Sequence, residues 1–510
     1  MEKELLFGLL YLVYYGGLAG LTYYIIQKNS PDPLHMMQLE GYQPRDYQLW
    51  LKDNKAFNFA LKISSSQNKT PLVWTDRAKR LHKRHLETIL LVLASLLVLS
   101  IFLYKYFFWL FFYPLCLGVF AFSQFHWIIL AAKLNLPLEN KINQGFYDTA
   151  KEKIRARKDL SVVGITGSFG KTSTKFMTAT ILEEAFKVQT TPSSFNTPMG
   201  LSKVINNDLT ENKEVFVAEL GAKEPGEIKE VADLVQPTIG VITAIGPTHM
   251  HLFKTIANIQ KTKYELIEAL PQDGVAIFNV DNAYVRELAD GCDRKTIRYG
   301  MDLDQDLDVF ADQIQVGALG SSFQLHLPGQ DPVLCETILL GKHNISNLLA
   351  AACIAYSLGM TADQIAAGIR KVQPVEHRLQ LIQGPSGVNV IDDAFNSNPF
   401  GARAALEVLG AFQDVKKIII TPGMVELGDI EEEENEKLGQ EIAQVVDYCI
   451  LVGEKRTQPI QRGLKGAGFP QDRLFVAQSL DEATQISAHL TGPGDVVLIE
   501  NDLPDSYNEV

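Results

Sequence analysis

Apolar residues run without a break in two places near the N-terminus and fall into short, spaced runs elsewhere. Leu5–Ile26 is 22 residues with no charge, and Thr88–Ala132 is 45 residues whose sole charge is Lys105. A helix needs about 20 apolar residues to cross a hydrocarbon core of about 30 Å. The first run therefore predicts a span over 5–26, and the second a pair over 88–104 and 107–132. Lys105 and its aromatic neighbours then fall at an interfacial turn. A cleaved signal peptide is a poor reading of the first run, because Met1-Glu2-Lys3-Glu4 is not positively charged and the run is too long. From Leu160 the pattern changes. Short apolar runs at Val215–Ala218, Ile239–Thr243, Val275–Asn279, Val388–Asp392, Lys417–Thr421, Tyr448–Val452 and Asp495–Glu500 alternate with helical periodicities. This is the pattern of an α/β chain with mostly parallel sheets.

A chain of 510 residues is too long for one core, and about three domains are expected. The division predicted is a membrane module over 1–150 with a basic loop at 27–87, a second domain over 151–373 and a third over 374–510. Basic residues crowd both flanks of the spans: Arg77, Lys79, Arg80, Lys83 and Arg84 on one side, Lys133, Lys141, Lys151, Lys153, Arg155, Arg157 and Lys158 after the last. The positive-inside rule puts both flanks, and everything after them, on the cytoplasmic face of a plasma membrane, with the N-terminus outside and membrane lipid as a partner. A net charge of −13 excludes a nucleic-acid partner, which needs a basic face. The five cysteines contain no Cys-x-x-Cys, so neither a disulfide framework nor a zinc site is expected.

The chemistry starts at Gly164-Ile165-Thr166-Gly167-Ser168-Phe169-Gly170-Lys171-Thr172, between the strand run Leu160–Val163 and a helical pattern. Glycines let the backbone wrap an anion, and a helix N-terminus offers free N–H groups and a positive dipole end. Lys171 is placed to reach the β/γ-phosphates of ATP and Thr172 to hold Mg²⁺, with Gly164, Thr166, Gly167, Ser168 and Gly170 completing the cradle. The usual phosphate-loop spacing wants a glycine where Ile165 stands.

The spacing Gly-x-Thr-Gly-Ser-x-Gly-Lys-Thr resembles that of the Mur ligase family. Further segments follow in that family's order: Val217–Ala222 with Pro225-Gly226-Glu227-Ile228, Ile245–His249 with Lys261–Ile267, Gly341–Asn347, His377-Arg378-Leu379, Asp392–Pro399 and Gly423–Gly428. The likeness covers about residues 160–500 and is greatest to the branch that adds D-Ala-D-Ala to the muramyl tripeptide. It implies a P-loop central domain with a mostly parallel sheet and a Rossmann-like C-terminal domain, here preceded by three transmembrane helices. It also implies an ATP-dependent acid–amino-acid ligase that converts a carboxylate of a cell-wall precursor, soluble or lipid-linked, to an acyl phosphate. An amino acid or dipeptide then displaces the phosphate.

Residue by residue, the resemblance makes Lys171, Glu219, His249, Lys263 and Arg378 catalytic, with Thr172, Glu219, His249 and Lys263 (as a carbamate) around Mg²⁺. Asn344, Asn347, Arg378 and Asp393 fall on the nucleotide, and Asn196, Thr197, Asn396 and Asn398 on substrate. Each has a plainer reading: a strand-end glutamate, a helix-surface lysine, helix caps at Asn344, and a structural turn at Asn196-Thr197.

Two departures stand out. Family members open with a soluble domain that grips the uridine nucleotide of the substrate, where this chain carries its membrane module. The branch also carries a Lys-Gly-Ser-Arg motif after its last strand, where this chain has Glu500-Asn501-Asp502-Leu503-Pro504-Asp505. That acidic set is either an amine-binding group or a solvated terminus. His251 also stands where the family has a carboxylate or amide. Two other readings remain open: a non-ligating ATP-binding scaffold or regulatory subunit of wall assembly, and a ligase extending a polyglutamate-type polymer.

Overall fold

The computed structural model describes residues 2–62, 71–103, 106, 108–193, 195–384, 386–395 and 397–503. It forms two compact units, divided near residue 144.

The N-terminal unit is helical: α1 (Glu2–Asn29), α2 (Pro31–Leu39), α3 (Pro44–Asp53), α4 (Asp76–Leu103), α5 (Trp109–Phe122) and α6 (Gln124–Ala156). Among the described residues, Gly8–Leu39 and Asp76–Leu103 are each long and apolar enough to cross a membrane. The third predicted span, 107–132, is not one straight helix. It divides into α5, of 14 residues, and α6, bent at 68° to each other. At 1.5 Å per residue α5 alone falls short of a bilayer core of about 30 Å, so only the bent pair taken together has the length of a third span. Lys105 lies outside the described residues.

Packing explains the bend. Tyr15 and Ile26 of α1, Ile89 and Leu93 of α4, and Tyr113 and Leu117 of α5 bury one another, while Val13, Leu91, Phe102, Phe111 and Leu115 stay exposed. Beyond the bend, Phe125, Ile128, Ile129 and Ala132 pack instead on Leu34, Met37, Tyr47, Trp50 and Leu81. The predicted basic loop is thus largely a folded layer. One of its arginines is spent there: Arg80 makes a two-pronged bond to Glu139 of α6 at 2.6 and 2.8 Å.

The second unit, 145–502, carries two sheets. The first has the order β2-β3-β1-β4-β5-β6-β7-β8-β9: β1 (Ser161–Thr166), β2 (Val188–Thr190), β3 (Val215–Glu219), β4 (Ile239–Ile242), β5 (Val275–Asn279), β6 (Lys295–Gly300), β7 (Val309–Gly317), β8 (Gly320–His326) and β9 (Val333–Thr337). Strands β1–β7 pair in parallel, and β8 and β9 antiparallel. The second sheet runs β10-β11-β15-β12-β13-β14: β10 (Gln380–Gln383), β11 (Asn389–Asp393), β12 (Lys417–Thr421), β13 (Tyr448–Val452), β14 (Leu474–Ala477) and β15 (Val496–Glu500), parallel except for β10. Each predicted strand run is a strand. Their near-continuous burial, complete along β3 and β4, is that of sheets covered by helices on both faces. Helix Lys342–Ser357, apolar from Leu348 to Ala355, is buried against α7 (Lys171–Leu182). The acidic run Glu431–Glu434 opens a helix, where the macrodipole favours negative charge.

Candidate active site

Strand order reverses around β1, and in open α/β sheets the ligand crevice lies beyond the carboxyl ends of the strands at such a point. The loop 167–170 leaves β1 there and enters α7. Gly167 (φ +152°) and Gly170 (φ +80°) take conformations that L side chains rarely adopt. A Cβ on Gly170 would also meet Asn347 Oδ1 at 2.5 Å. Lys171 folds over this loop, its Nζ donating to the carbonyls of Gly167 (2.8 Å) and Ser168 (3.2 Å). Burial lowers its pKa, with Glu219 opposing and Arg378 adding to the shift. The other cradle residues serve the scaffold. Gly164 sits inside β1, where a Cβ would strike Leu266 at 2.8 Å. The Thr166 hydroxyl donates to the Leu220 carbonyl (2.9 Å) and that of Ser168 to the Gly246 carbonyl (3.0 Å).

Glu219 ends β3 and is the node of the site. It is 1% exposed, so it is not an exposed strand-end glutamate. Thr172 Oγ1 donates to its Oε2 at 2.9 Å and Asn196 Nδ2 to its Oε1 at 2.9 Å. Lys175, one turn beyond Lys171, brings its ammonium to 3.6 Å of Oε2. Burial lowers the pKa of Lys175 to about 8 against the pull of Glu219.

Lys263 is not a surface lysine. It is 3% exposed on helix Ile256–Glu268, and its Nζ stands 5.7 Å from the centre of the Phe253 ring. Burial first, and the charge of Lys171 second, bring its pKa down to about 7. His249 takes a left-handed backbone (φ +49°) and pairs through Nδ1 with Glu426 Oε2 at 2.6 Å, bringing a residue of the second sheet's loops to the first sheet's edge. The side chain of His251 lies outside what the structure describes.

Arg378 is held between two non-glycine residues of positive φ, His377 (+59°) and Leu379 (+50°). Such backbone costs about 1 kcal/mol or more per residue and needs surrounding structure to hold it. Here that structure is His377 Nδ1 with Asp392 Oδ2 (2.8 Å) and the Leu379 amide donating to Asp393 Oδ1 (3.1 Å). The guanidinium lies 4.1 Å over the Phe395 ring. Burial lowers its pKa, and Asp393 and Glu219 oppose the shift. Burial raises Asp393 to about 6. Glu500 neighbours it in register on β15, 1% exposed, its carboxyl also pushed up by burial and by Asp393. The solvated-terminus reading therefore fails at Glu500, while Asp505 lies outside the described residues.

Several predicted ligands are committed elsewhere. Asn344 Nδ2 donates to the Leu340 carbonyl just before its own helix (2.9 Å), and Asn347 Oδ1 accepts from Thr174 of α7 (3.2 Å), which ties that helix to the phosphate helix. Thr197 and Asn398 cap the helices Pro198–Asn207 and Pro399–Gly410, which is the turn reading for Thr197. Asn396 lies outside the described residues. Sequence reasoning missed Lys175, Glu426 and Thr243, whose hydroxyl braces the loop by donating to the Thr166 carbonyl at 3.2 Å. Two of these left a signal: Lys175, four residues after Lys171, shares that lysine's helix face, and Glu426 falls in the segment Gly423–Gly428, although no role was assigned to it.

Residues 165–355 match the Mur ligase middle domain, and residues 377–500 the Mur ligase glutamate ligase domain. A Mycobacterium leprae protein named UDP-N-acetylmuramoyl-tripeptide–D-alanyl-D-alanine ligase is 30% identical over 367 residues, covering 67% of this chain and 71% of that protein. The crystal structure of MurF from Acinetobacter baumannii superposes with a TM-score of 0.64 at 27% identity, over 72% of this chain and 78% of that one. MurF from Thermotoga maritima in complex with ADP shares the fold, with a TM-score of 0.63 over 71% and 80% of the two chains at 24% identity. With both domains present in order, and this likeness running through most of a named ligase, the chain belongs to the Mur ligase family of ATP-dependent ligases, with MurF proteins among its relatives.

Proposed function

We propose that the chain is a membrane-anchored ligase of MurF type, which activates a carboxylate of a cell-wall precursor with ATP and joins it to an amino acid or dipeptide. By the name of its M. leprae relative, the acceptor would be a UDP-N-acetylmuramoyl tripeptide and the amine D-alanyl-D-alanine. The observation that carries the reading is the node at the ends of β1 and β3. There Lys171, Thr172 and Glu219 converge, with Arg378 and Asp393 electrostatically coupled to them from the second sheet.

ATP with Mg²⁺ supplies the phosphoryl group that makes the carboxylate electrophilic as an acyl phosphate. Phosphoryl transfer asks the protein for positioning and charge neutralisation, and these residues suit that task. The donor set fits a hard cation: the Glu219 carboxylate and Thr172 hydroxyl are oxygens already in contact. His249 and Lys263 would join them, Lys263 as a carbamate, because a buried amine with a pKa near 7 is substantially neutral and open to CO₂. Lys171 and Arg378 would take the phosphate oxygens, Arg378 as a planar fork. Asn196, bonded to Glu219, is the substrate-side candidate that best keeps its place. Incubating the detergent-purified protein with ATP, Mg²⁺ and a panel of wall precursors and amines, read by mass spectrometry, tests the proposal. Product that requires both carboxylate and amine supports it. ATP hydrolysis indifferent to both would favour the scaffold reading.

For the anchor we propose three spans, α1, α4 and the bent α5–α6 pair, with the catalytic unit in the cytoplasm. A reporter fused after Val510 is then expected to behave as cytoplasmic, and proteases added to intact cells to spare residues 27–87. Cleavage there would overturn this topology. Confinement to a surface raises effective concentration for a substrate on the same surface, so the acceptor we favour is lipid-linked. A higher kcat/KM on the lipid-linked muramyl peptide than on its soluble nucleotide form is expected. The reverse would leave the anchor with another purpose. Arg80 and Arg77 face Glu139 and are not part of any grip on that lipid, while Lys79 and Arg84, held only in exposed pairs with Asp76 and Glu87, remain for the task with Lys83.

A further inference from the structure

Lys175 is 0% exposed, and lysine is almost never fully buried unless paired. It bridges three elements. From α7 its ammonium lies 3.6 Å from Glu219 Oε2 at the end of β3 and donates to the carbonyl of Ser193 in the loop that carries Asn196. The same ammonium stands 4.3 Å from the centre of the Phe176 ring, an apolar wall. The other donors to Glu219 are neutral: the Thr172 hydroxyl and the Asn196 amide. Two ammonium groups on one helix face thus share the neighbourhood of one buried carboxylate, with different contacts. Among the described residues Lys175 is the one in ion-pair contact with Glu219, while Lys171 is turned onto the carbonyls of its own loop.

We propose that Lys175 is a positioning residue, the counter-charge that holds Glu219 toward Thr172 and Asn196 and leaves Lys171 for the phosphates. The proposal rests on reading 164–172 as a nucleotide site. The physics is that of a buried ion pair: removing one partner leaves an uncompensated charge, while removing both is far less costly. Without Lys175, the cations that interact with Glu219 are Lys171 and Arg378, both assigned to the phosphates. Pairing of Lys171 with Glu219 would draw the phosphate-binding charge away from its loop.

The test is calorimetric titration of the full-length protein with ADP and with ATP in EDTA, so that neither turnover nor metal enters, alongside thermal unfolding. Lys175→Met is expected to weaken nucleotide binding by about tenfold, the scale of one charge-assisted contact, and to lower the unfolding midpoint. Lys175→Met/Glu219→Gln is expected to recover both, because no carboxylate remains to capture Lys171. A merely structural lysine would lower the midpoint equally in the single and double variants and leave nucleotide affinity unmoved. Either result overturns the proposal. Should Lys175→Met fail to fold, a folded double variant supports the counter-charge role, and an unfolded one refutes it. If the wild-type protein binds no nucleotide, the reading of the loop fails, and the proposal with it. Wild-type binding matched by the single variant sinks the proposal alone.

Discussion

Lys171→Ala is expected to abolish ATP turnover, lowering kcat/KM by about 10³-fold or more, while leaving the fold intact. Removing a preorganised donor from developing charge costs about 10²–10³-fold in other enzymes, and this lysine also carries a full charge to the phosphates. The fold has little to lose. The ammonium makes its bonds to two carbonyls of its own loop, and the hydrophobic clusters of the sheet do not include it. Two part-buried hydrogen bonds to loop carbonyls are worth about 1 kcal/mol each. Circular dichroism and the unfolding midpoint of the variant should therefore lie close to wild type. Lys171→Arg is expected to fare little better, because a planar guanidinium is a wider group than the ammonium that packs 2.8 Å from the Gly167 carbonyl and the two cations are not interchangeable. Near-normal ligation by a folded Lys171→Ala protein would remove the phosphate role from this loop.

The strands of the second unit were legible because buried parallel strands read as near-continuous apolar runs between helical periods. Val215–Ala218 and Tyr448–Val452 are examples where the run and the strand agree almost to the residue. The cradle was legible as a motif but not as a division of labour. Gly164 satisfies the pattern yet is required by Leu266 of the helix Ile256–Glu268 packed on the sheet, and the hydroxyls of Thr166 and Ser168 are spent on backbone carbonyls. A motif gives residue types at spacings, and these do not say which partner a short side chain meets. The bend after α5 was hidden for a related reason. Hydropathy sees composition, and residues 124–132 are apolar enough to continue a span, but their partners are Trp50, Tyr47 and Leu34. Lys175 and Glu426 were missed because their meaning depends on what lies opposite, Glu219 for one and His249 for the other, at sequence distances no periodicity reports.

Lys263→Ala is expected to lower activity by about 10²-fold, the upper end of the scale on which support around a metal is lost, and the loss should be reversible in part by short carboxylates. The side chain is buried, its nearest described ring is Phe253, and its pKa is drawn down to about 7 by burial and by Lys171. A protonated lysine there would repel a cation. A lysine that has added CO₂ presents anionic oxygens, the ligands a hard cation prefers. Truncation to alanine removes those oxygens and leaves a space the length of the lost side chain, lined on one side by Phe253. Formate, acetate or propionate can enter it and restore an oxygen ligand, so rescue should saturate with carboxylate concentration and depend on chain length. Lys263→Arg should be inactive without rescue, because the guanidinium keeps its charge and fills the space. An independent arm uses the unmodified protein: exhaustive removal of CO₂ and bicarbonate should reduce its activity, and bicarbonate should return it. Full activity in the alanine variant would return Lys263 to a structural role. Loss without rescue, in a protein indifferent to bicarbonate, would keep the lysine in the site as a plain amine and exclude the carbamate.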